Sequence, residues 1–295
     1  MAKLGFHIVK LWVRFQSIHP YWLLYLKSDC YSFLLYHVLR YRRKVVRQNL
    51  LRSFPDKDER AIKNIERQFY RNFCDLVVEG SKTMCMASVR DAGRVKFTNP
   101  EVLTRLYEQQ KSVIIASPHS GNWEWLAKLM QEISPHKSMA VYKKLESQVF
   151  DALVFYLRTK DCALELMETH DTVRRLEELS GNKNAVLMLG DQSPRGIDTD
   201  YWTEFLHQDT CWYKGLEYIA KKFDYAVVFV AMKRQGRGHY EVSFELITDH
   251  PKATEENFIV EQYVRCVERF IEANPDNWLW SHRRWKHQRN KAEEA

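Results

Sequence analysis

The chain has 295 residues, 45% of them apolar, which is enough for one large α/β domain or two small ones with a full core. Forty-five Lys and Arg against 38 Asp and Glu give a net charge of +7, a balance that favours acidic partners: phosphorylated substrates, an anionic membrane surface, an acidic carrier protein or nucleic acid. The cysteines, Cys30, Cys74, Cys85, Cys162, Cys211 and Cys266, are scattered without a CxxC pair, which argues against a disulfide framework and for a reducing, cytosol-facing compartment.

Residues 4–39 are rich in Leu, Trp, Tyr, Phe and Val but are interrupted by Lys10, Arg14, His19, Pro20, Lys27 and Asp29. No run reaches the roughly 18 to 20 apolar residues of a spanning helix, and no small-residue cleavage site follows a short apolar core. A helix or helical hairpin lying in the membrane interface fits this pattern, with Trp12, Tyr21, Trp22, Tyr25, Tyr31 and Tyr36 at headgroup depth. A helical subdomain packed on the core fits it equally. Arg40, Arg42, Arg43, Lys44, Arg47 and Arg52 follow with no acid before Asp56, a cluster attracted to anionic lipid if it lies beside a membrane. Residues 1–55 are therefore read as an N-terminal helical, membrane-associating segment and 56–290 as the main α/β domain.

Residues 58–89 read as one or two helices, with Ile62, Ile65, Phe69, Phe73, Leu76 and Val77 at helical spacing. From residue 94 strands and helices alternate. The predicted strands are 95–97, 112–116, 138–141, 164–167 and 185–189, then a hairpin of 226–234 and 239–247 around Gly236-Arg237-Gly238. The predicted helices are 101–110, one starting at Asn122, 150–159, 171–179, 212–223 and 255–273. This alternation predicts an α/β fold with a mixed, largely parallel sheet flanked by helices.

Four stretches carry chemistry. Ser117-Pro118-His119-Ser120-Gly121-Asn122-Trp123-Glu124 puts a histidine in a strand-to-helix turn and a carboxylate in the first helical turn. A carboxylate on one ring nitrogen fixes the tautomer and leaves the other nitrogen free to take a proton from a hydroxyl. Gly121 permits the tight turn, and Asn122 or Ser120 can cap the helix. Gly190-Asp191-Gln192-Ser193-Pro194-Arg195-Gly196 follows another apolar strand and faces the same cleft; Asp191 and Gln192 either bind acceptor hydroxyls or amides or only hold the turn. Tyr142-Lys143-Lys144, with Arg158 and Lys160, offers cations for a phosphate or an oxyanion, or is ordinary surface charge. Last, Trp278, Trp280 and Trp285 interleave with His282, Arg283, Arg284 and Lys286, as in an interfacial anchor or a nucleic-acid stacking platform. HExxH, zinc-type Cys/His spacing, a P-loop, GxGxxG and GxSxG do not occur.

In this order the pieces resemble the bacterial lipid A biosynthesis acyltransferases, the lauroyl/myristoyl transferase group within the glycerolipid and lysophospholipid acyltransferase superfamily. Tyr41-Arg42-Arg43, Asn49-Leu50 and Ser53-Phe54-Pro55 are similar to the family's early block. His119-Ser120-Gly121-Asn122-Trp123-Glu124 matches the catalytic block, in which the acid is Asp or Glu. Asp191-Gln192-Ser193-Pro194 and the ending Trp278-Leu279-Trp280-Ser281-His282-Arg283-Arg284-Trp285-Lys286 match later blocks. His207 stands where the family usually has Gly after Phe205-Leu206, and Tyr142-Lys143-Lys144 lacks the arginine and proline often found there.

The resemblance implies an acyltransferase that moves a fatty acyl chain from acyl carrier protein, or coenzyme A, to a hydroxyl of a lipid A precursor. It implies a His119–Glu124 dyad, with His119 as base and Glu124 holding it, and Arg158 near the acyl or phosphate group. Asn122, Asp191 and Gln192 are the further substrate-binding candidates. No metal, cofactor or nucleic acid is called for. The expected location is the cytoplasmic face of the inner membrane, peripheral or monotopic. The alternatives are another lipid acceptor (a lysophospholipid, amino lipid or glycolipid) and a non-catalytic basic protein that binds membranes or nucleic acid.

Overall fold

The computed structural model describes residues 2–84, 93–194 and 201–289. Helices α1 (Ala2–Ser17) and α2 (Tyr21–Phe33) come first, separated at Pro20, which has no N–H to continue a helix. α2 runs into a single wide turn of π type, Leu34–Val38. Left-handed residues Arg40 and Arg42 then redirect the chain into α3 (Arg43–Ser53). α4 (Glu59–Lys82) follows as one helix, capped by Asp58, whose carboxylate accepts the Ala61 N–H at 2.6 Å; residues 85–89 of the expected helical stretch lie outside the described residues.

The remaining chain alternates as β1 (Val95–Phe97), α5 (Glu101–Glu108), β2 (Val113–Ser117), α6 (Trp123–Ile133), β3 (Lys137–Tyr142), α7 (Gln148–Thr159), β4 (Glu165–Glu168), α8 (Thr172–Glu178) and β5 (Asn184–Leu189). Then come β6 (Tyr201–Phe205), β7 (Gln208–Trp212), α9 (Gly215–Phe223), β8 (Ala226–Gly236), β9 (His239–Thr248) and α10 (Phe258–Ala273). Seven strands form one sheet in the order β1-β9-β8-β2-β5-β3-β4. Among the described residues of this sheet only β8 and β9 pair antiparallel, so the mixed, largely parallel α/β fold is as expected.

The core explains the unbroken apolar strands. In β2, Ile114 and Ala116 join the cluster containing Ile219, Val264 and Val267 of α9 and α10, while Val113 and Ile115 join Leu103, Leu106, Leu126 and Leu129 of α5 and α6. Side chains alternate between faces, and both faces are covered, so Val113 to Ala116 are all apolar. Each such side chain contributes about 1.5–3 kcal/mol of burial before entropic costs.

The hairpin of β6 and β7 is absent from the sequence-based elements, and the helix expected from Trp212 starts at Gly215 instead. Trp212 ends β7 with its ring fully buried. Phe205 pairs with Gln208, so Leu206 and His207 form a two-residue loop, both at positive φ. That geometry favours glycine. The Leu206 N–H is held by Glu268 at 2.6 Å, whereas His207 is exposed. His207→Gly is expected to stabilise the fold by up to about 1 kcal/mol, seen as a higher denaturant midpoint with an unchanged slope.

Candidate active site

β2 and β5 are neighbours, and their last residues, Ser117 and Leu189, are register partners. His119 and Asp191 each lie two residues beyond those partners, so the sheet sets them face to face at its carboxyl edge. The His119 Nδ1 lies 2.6 Å from the Asp191 Oδ1, and the His119 backbone N–H donates to Oδ2 at 2.9 Å. The Trp278 indole N–H donates to the same Oδ2 at 2.7 Å. Burial works to raise the Asp191 carboxyl, but His119 and these donors outweigh it and hold it below the ordinary carboxylate range. An ionised Asp191 only accepts, so Nδ1 carries the proton and Nε2 presents its lone pair. The Gln192 amide nitrogen lies 3.3 Å from that Nε2.

Glu124 was expected to hold His119, and here it does not touch the ring. Its oxygens accept from Arg158 Nε at 2.8 Å and Arg158 Nη2 at 2.7 Å, a two-pronged ion pair, and from the Trp123 indole N–H at 3.1 Å. The Trp123 ring stands edge-on to His119 with centroids 5.5 Å apart, so Glu124 reaches His119 through Trp123. Burial works to raise the Glu124 carboxyl and Arg158 overrides it, leaving it lowered. The reason for the difference is topological: the turn after β5 brings a second carboxylate to the ring, leaving the one on α6 to the guanidinium from α7.

Asn122 is fully buried. Its Oδ1 accepts the Trp125 N–H at 3.1 Å and its Nδ2 donates to Glu79 at 2.8 Å. The amide expected to bind substrate is thus spent within the protein as the cap of α6. Gly121 has φ +58, and a Cβ there would lie 2.2 Å from the Met232 carbonyl oxygen. Gly121→Ala is expected to cost more than about 2 kcal/mol and to remove activity with it; a thermal melt beside an activity assay checks both.

Lys143 and Lys144 leave β3 at this same sheet edge and are exposed. On the side of Gly121, a small cleft is lined by Phe69, Phe73, Leu76, Trp123, Trp278 and Leu279 among others.

The tryptophan-rich ending is not an exposed anchor or stacking platform. Trp278 and Trp280 are buried, and Arg284 packs over the Trp212 ring at 4.3 Å. The segment straps the site: the Asn277 carbonyl accepts the Gly121 N–H at 3.2 Å, and Ser120 bridges Trp278. The early basic block anchors the strap. Asn49 Nδ2 donates to the Trp280 and His282 carbonyls at 2.9 and 3.0 Å, and Arg42 to the Ser281 carbonyl at 3.0 Å. Arg43 and Arg47 pair with the buried Glu66, so half of the run read as lipid-facing charge holds the fold together.

His282 Nε2 accepts the Ser193 N–H at 2.9 Å and so fixes the turn that carries Asp191. Burial pushes this ring down to about 4, against about 6.5 for a free side chain. Between those values the unfolded chain binds the proton and the folded one does not, so stability falls as pH drops through that window and levels off below it. The expected contribution is about 2–3 kcal/mol. Urea midpoints from neutral to acid pH check it, and the slope in excess of that of His282→Asn is the part due to this ring.

The family model for bacterial lipid A biosynthesis acyltransferases matches residues 4–287. No curated protein sequence matches the chain.

Proposed function

Because the chain belongs to the bacterial lipid A biosynthesis acyltransferase family, we propose that it transfers a fatty acyl chain from acyl carrier protein, or coenzyme A, to a hydroxyl of a lipid A precursor, with His119 as the base and Asp191 as the group that holds it. The observation that carries this reading is the 2.6 Å contact between Asp191 and His119 Nδ1, which leaves Nε2 to work. Nε2 takes the hydroxyl proton as the oxygen attacks the thioester carbonyl. The C–S bond breaks, the ester forms, and the departing sulfur takes the proton back from the ring. The hydroxyl attacks directly, so no acyl-enzyme forms. Glu124 fixes Arg158 beside the reacting groups, where its charge steadies the oxyanion or a phosphate of the acceptor. Gln192 lies against Nε2 and is the side chain best placed to meet the incoming hydroxyl.

The net charge of +7 and exposed Lys143 and Lys144 suit an anionic acyl donor, whether the acidic carrier protein or the phosphorylated coenzyme A. An acyl chain needs apolar surface, worth about 0.8 kcal/mol per buried CH₂, and Phe69, Phe73 and Leu76 of the small cleft beside Gly121 offer the start of such a surface. Leu4, Ile8, Leu11, Trp12 and Phe15 of α1, Ile18 just after it, and Trp22 and Leu26 of α2 are exposed. Among the described residues no helix is long and apolar enough to cross a membrane. Together these favour a peripheral or monotopic seat on the cytoplasmic face of the inner membrane.

Mass spectrometry of lipid A from the source organism with and without the gene tests the reading. A species one acyl group lighter in the deletion, restored by the gene, is expected. Unchanged lipid A would move the acceptor to a lysophospholipid, amino lipid or glycolipid, to be sought in the total lipid.

A further inference from the structure

The catalytic turn rests on a buried carboxylate that the chemistry does not use. Glu79, on α4, is fully buried. Its Oε2 accepts from Asn122 Nδ2 at 2.8 Å and from the Tyr240 hydroxyl at 2.6 Å, and its Oε1 from the Tyr25 hydroxyl at 3.1 Å. Its backbone carbonyl accepts the Trp125 indole N–H at 3.3 Å. One residue thus gathers donors from α2, β9, α6 and the turn that ends β2.

The Asn122 amide explains why an acceptor is needed. Its oxygen is committed to the Trp125 N–H at 3.1 Å, so its nitrogen must point at Glu79. Without an acceptor there, a buried N–H₂ group is left unpaired, which costs about 1–3 kcal/mol. The amide then has reason to leave the cap. Asn122 is three residues from His119, and the left-handed Gly121 lies between them, so a shift of the cap moves the ring against Asp191. A neighbouring carboxylate, Asp75, one turn earlier on α4, ties the same helices without touching the turn. It accepts from Ser28 Oγ at 2.6 Å and from Arg234 Nη2 at 2.6 Å.

We propose that Glu79 is a positioning residue for acyl transfer: by accepting from Asn122 it holds the turn that aims His119. This rests on the functional reading above. The test compares Glu79→Leu, Glu79→Gln and Ser28→Ala, with lauroyl-acyl carrier protein and a lipid A precursor as substrates. Glu79→Leu removes the acceptor at similar volume and is expected to lower kcat by about tenfold or more, with KM for the carrier within about twofold. Glu79→Gln keeps an oxygen for Asn122 and turns its NH₂ to the Tyr25 hydroxyl, which can accept. It is expected to recover kcat to within about threefold of wild type. Ser28→Ala loses a buried bond between α2 and α4 and lowers the melting temperature, but leaves kcat unchanged.

Hydrogen exchange of the peptide containing residues 119–126 is measured alongside. It is expected to speed up in Glu79→Leu and to stay at the wild-type rate in Ser28→Ala. Where Glu79→Leu does not fold, Tyr240→Phe removes the shortest of the three side-chain bonds to Glu79 and is expected to show the same kcat and exchange changes at about threefold. Wild-type kcat per folded molecule in Glu79→Leu, or equal effects in Ser28→Ala, would overturn the proposal. If the wild-type protein transfers no acyl group, the functional reading fails by itself. The exchange data then decide the positioning claim alone, and unchanged exchange at 119–126 overturns it.

Discussion

His119→Ala is expected to fold as wild type does and to lose acyl transfer by about a thousandfold or more. The fold survives because the ring lies at the mouth of the sheet rather than in the core, with 17% of its side chain exposed. Asp191 also keeps two donors, the backbone N–H of residue 119 and the Trp278 indole. The chemistry does not survive, because the ring that takes the hydroxyl proton is gone and Asp191, held below the ordinary carboxylate range, is a weak base in its place. The check is single-turnover acyl transfer with a melting curve on the same preparation. A well-folded variant with wild-type rate would remove the histidine from the mechanism.

Asp191→Asn is the second large effect, about a thousandfold in kcat. Asparagine offers one acceptor where three donors converge. Whichever way its amide turns, it either presents N–H₂ to Nδ1, which moves the ring proton to Nε2 and removes the lone pair, or leaves the indole unpaired. Glu124→Gln serves as the comparison. It keeps one good bond to Arg158 and leaves the Asp191–His119 contact intact, so its cost is expected at about ten- to a hundredfold in kcat. The reverse ranking would mean that Glu124 is the carboxylate working on His119 during turnover, as the H-x4-E spacing implies.

Local pattern carried the architecture. Val113 to Ala116 and Ala185 to Leu189 read as strands because both faces of the sheet are covered, and the helices between them read from apolar spacing. The positions of His119, Asp191 and Gln192 at one sheet edge also followed from pattern, since each comes just after an apolar strand. The pairing did not. Whether a carboxylate five residues away or one 72 residues away reaches the ring depends on β5 lying beside β2, and strand order has no local signature. The β6–β7 hairpin escaped for a different reason: Leu206 and His207 turn without the glycine or asparagine that marks such loops, held from outside by Glu268. The strap was misread because Trp and Arg side by side look alike on a surface and in a core; burial depends on Trp212 and Asn49, far away in sequence. Glu79 gave no sign at all, being one acid among several on an amphipathic helix.

The strap also sets an order of events in the life of the molecule. His119 and Asp191 are translated long before Trp278 and His282, so on the ribosome the sheet can form while its reactive edge still lacks the indole and imidazole that fix it. Chains interrupted after α10 would carry every residue of the proton-transfer pair and still be poor catalysts. A nascent chain that has not yet reached the strap is thus expected to consume little acyl donor, although it already holds His119 and Asp191.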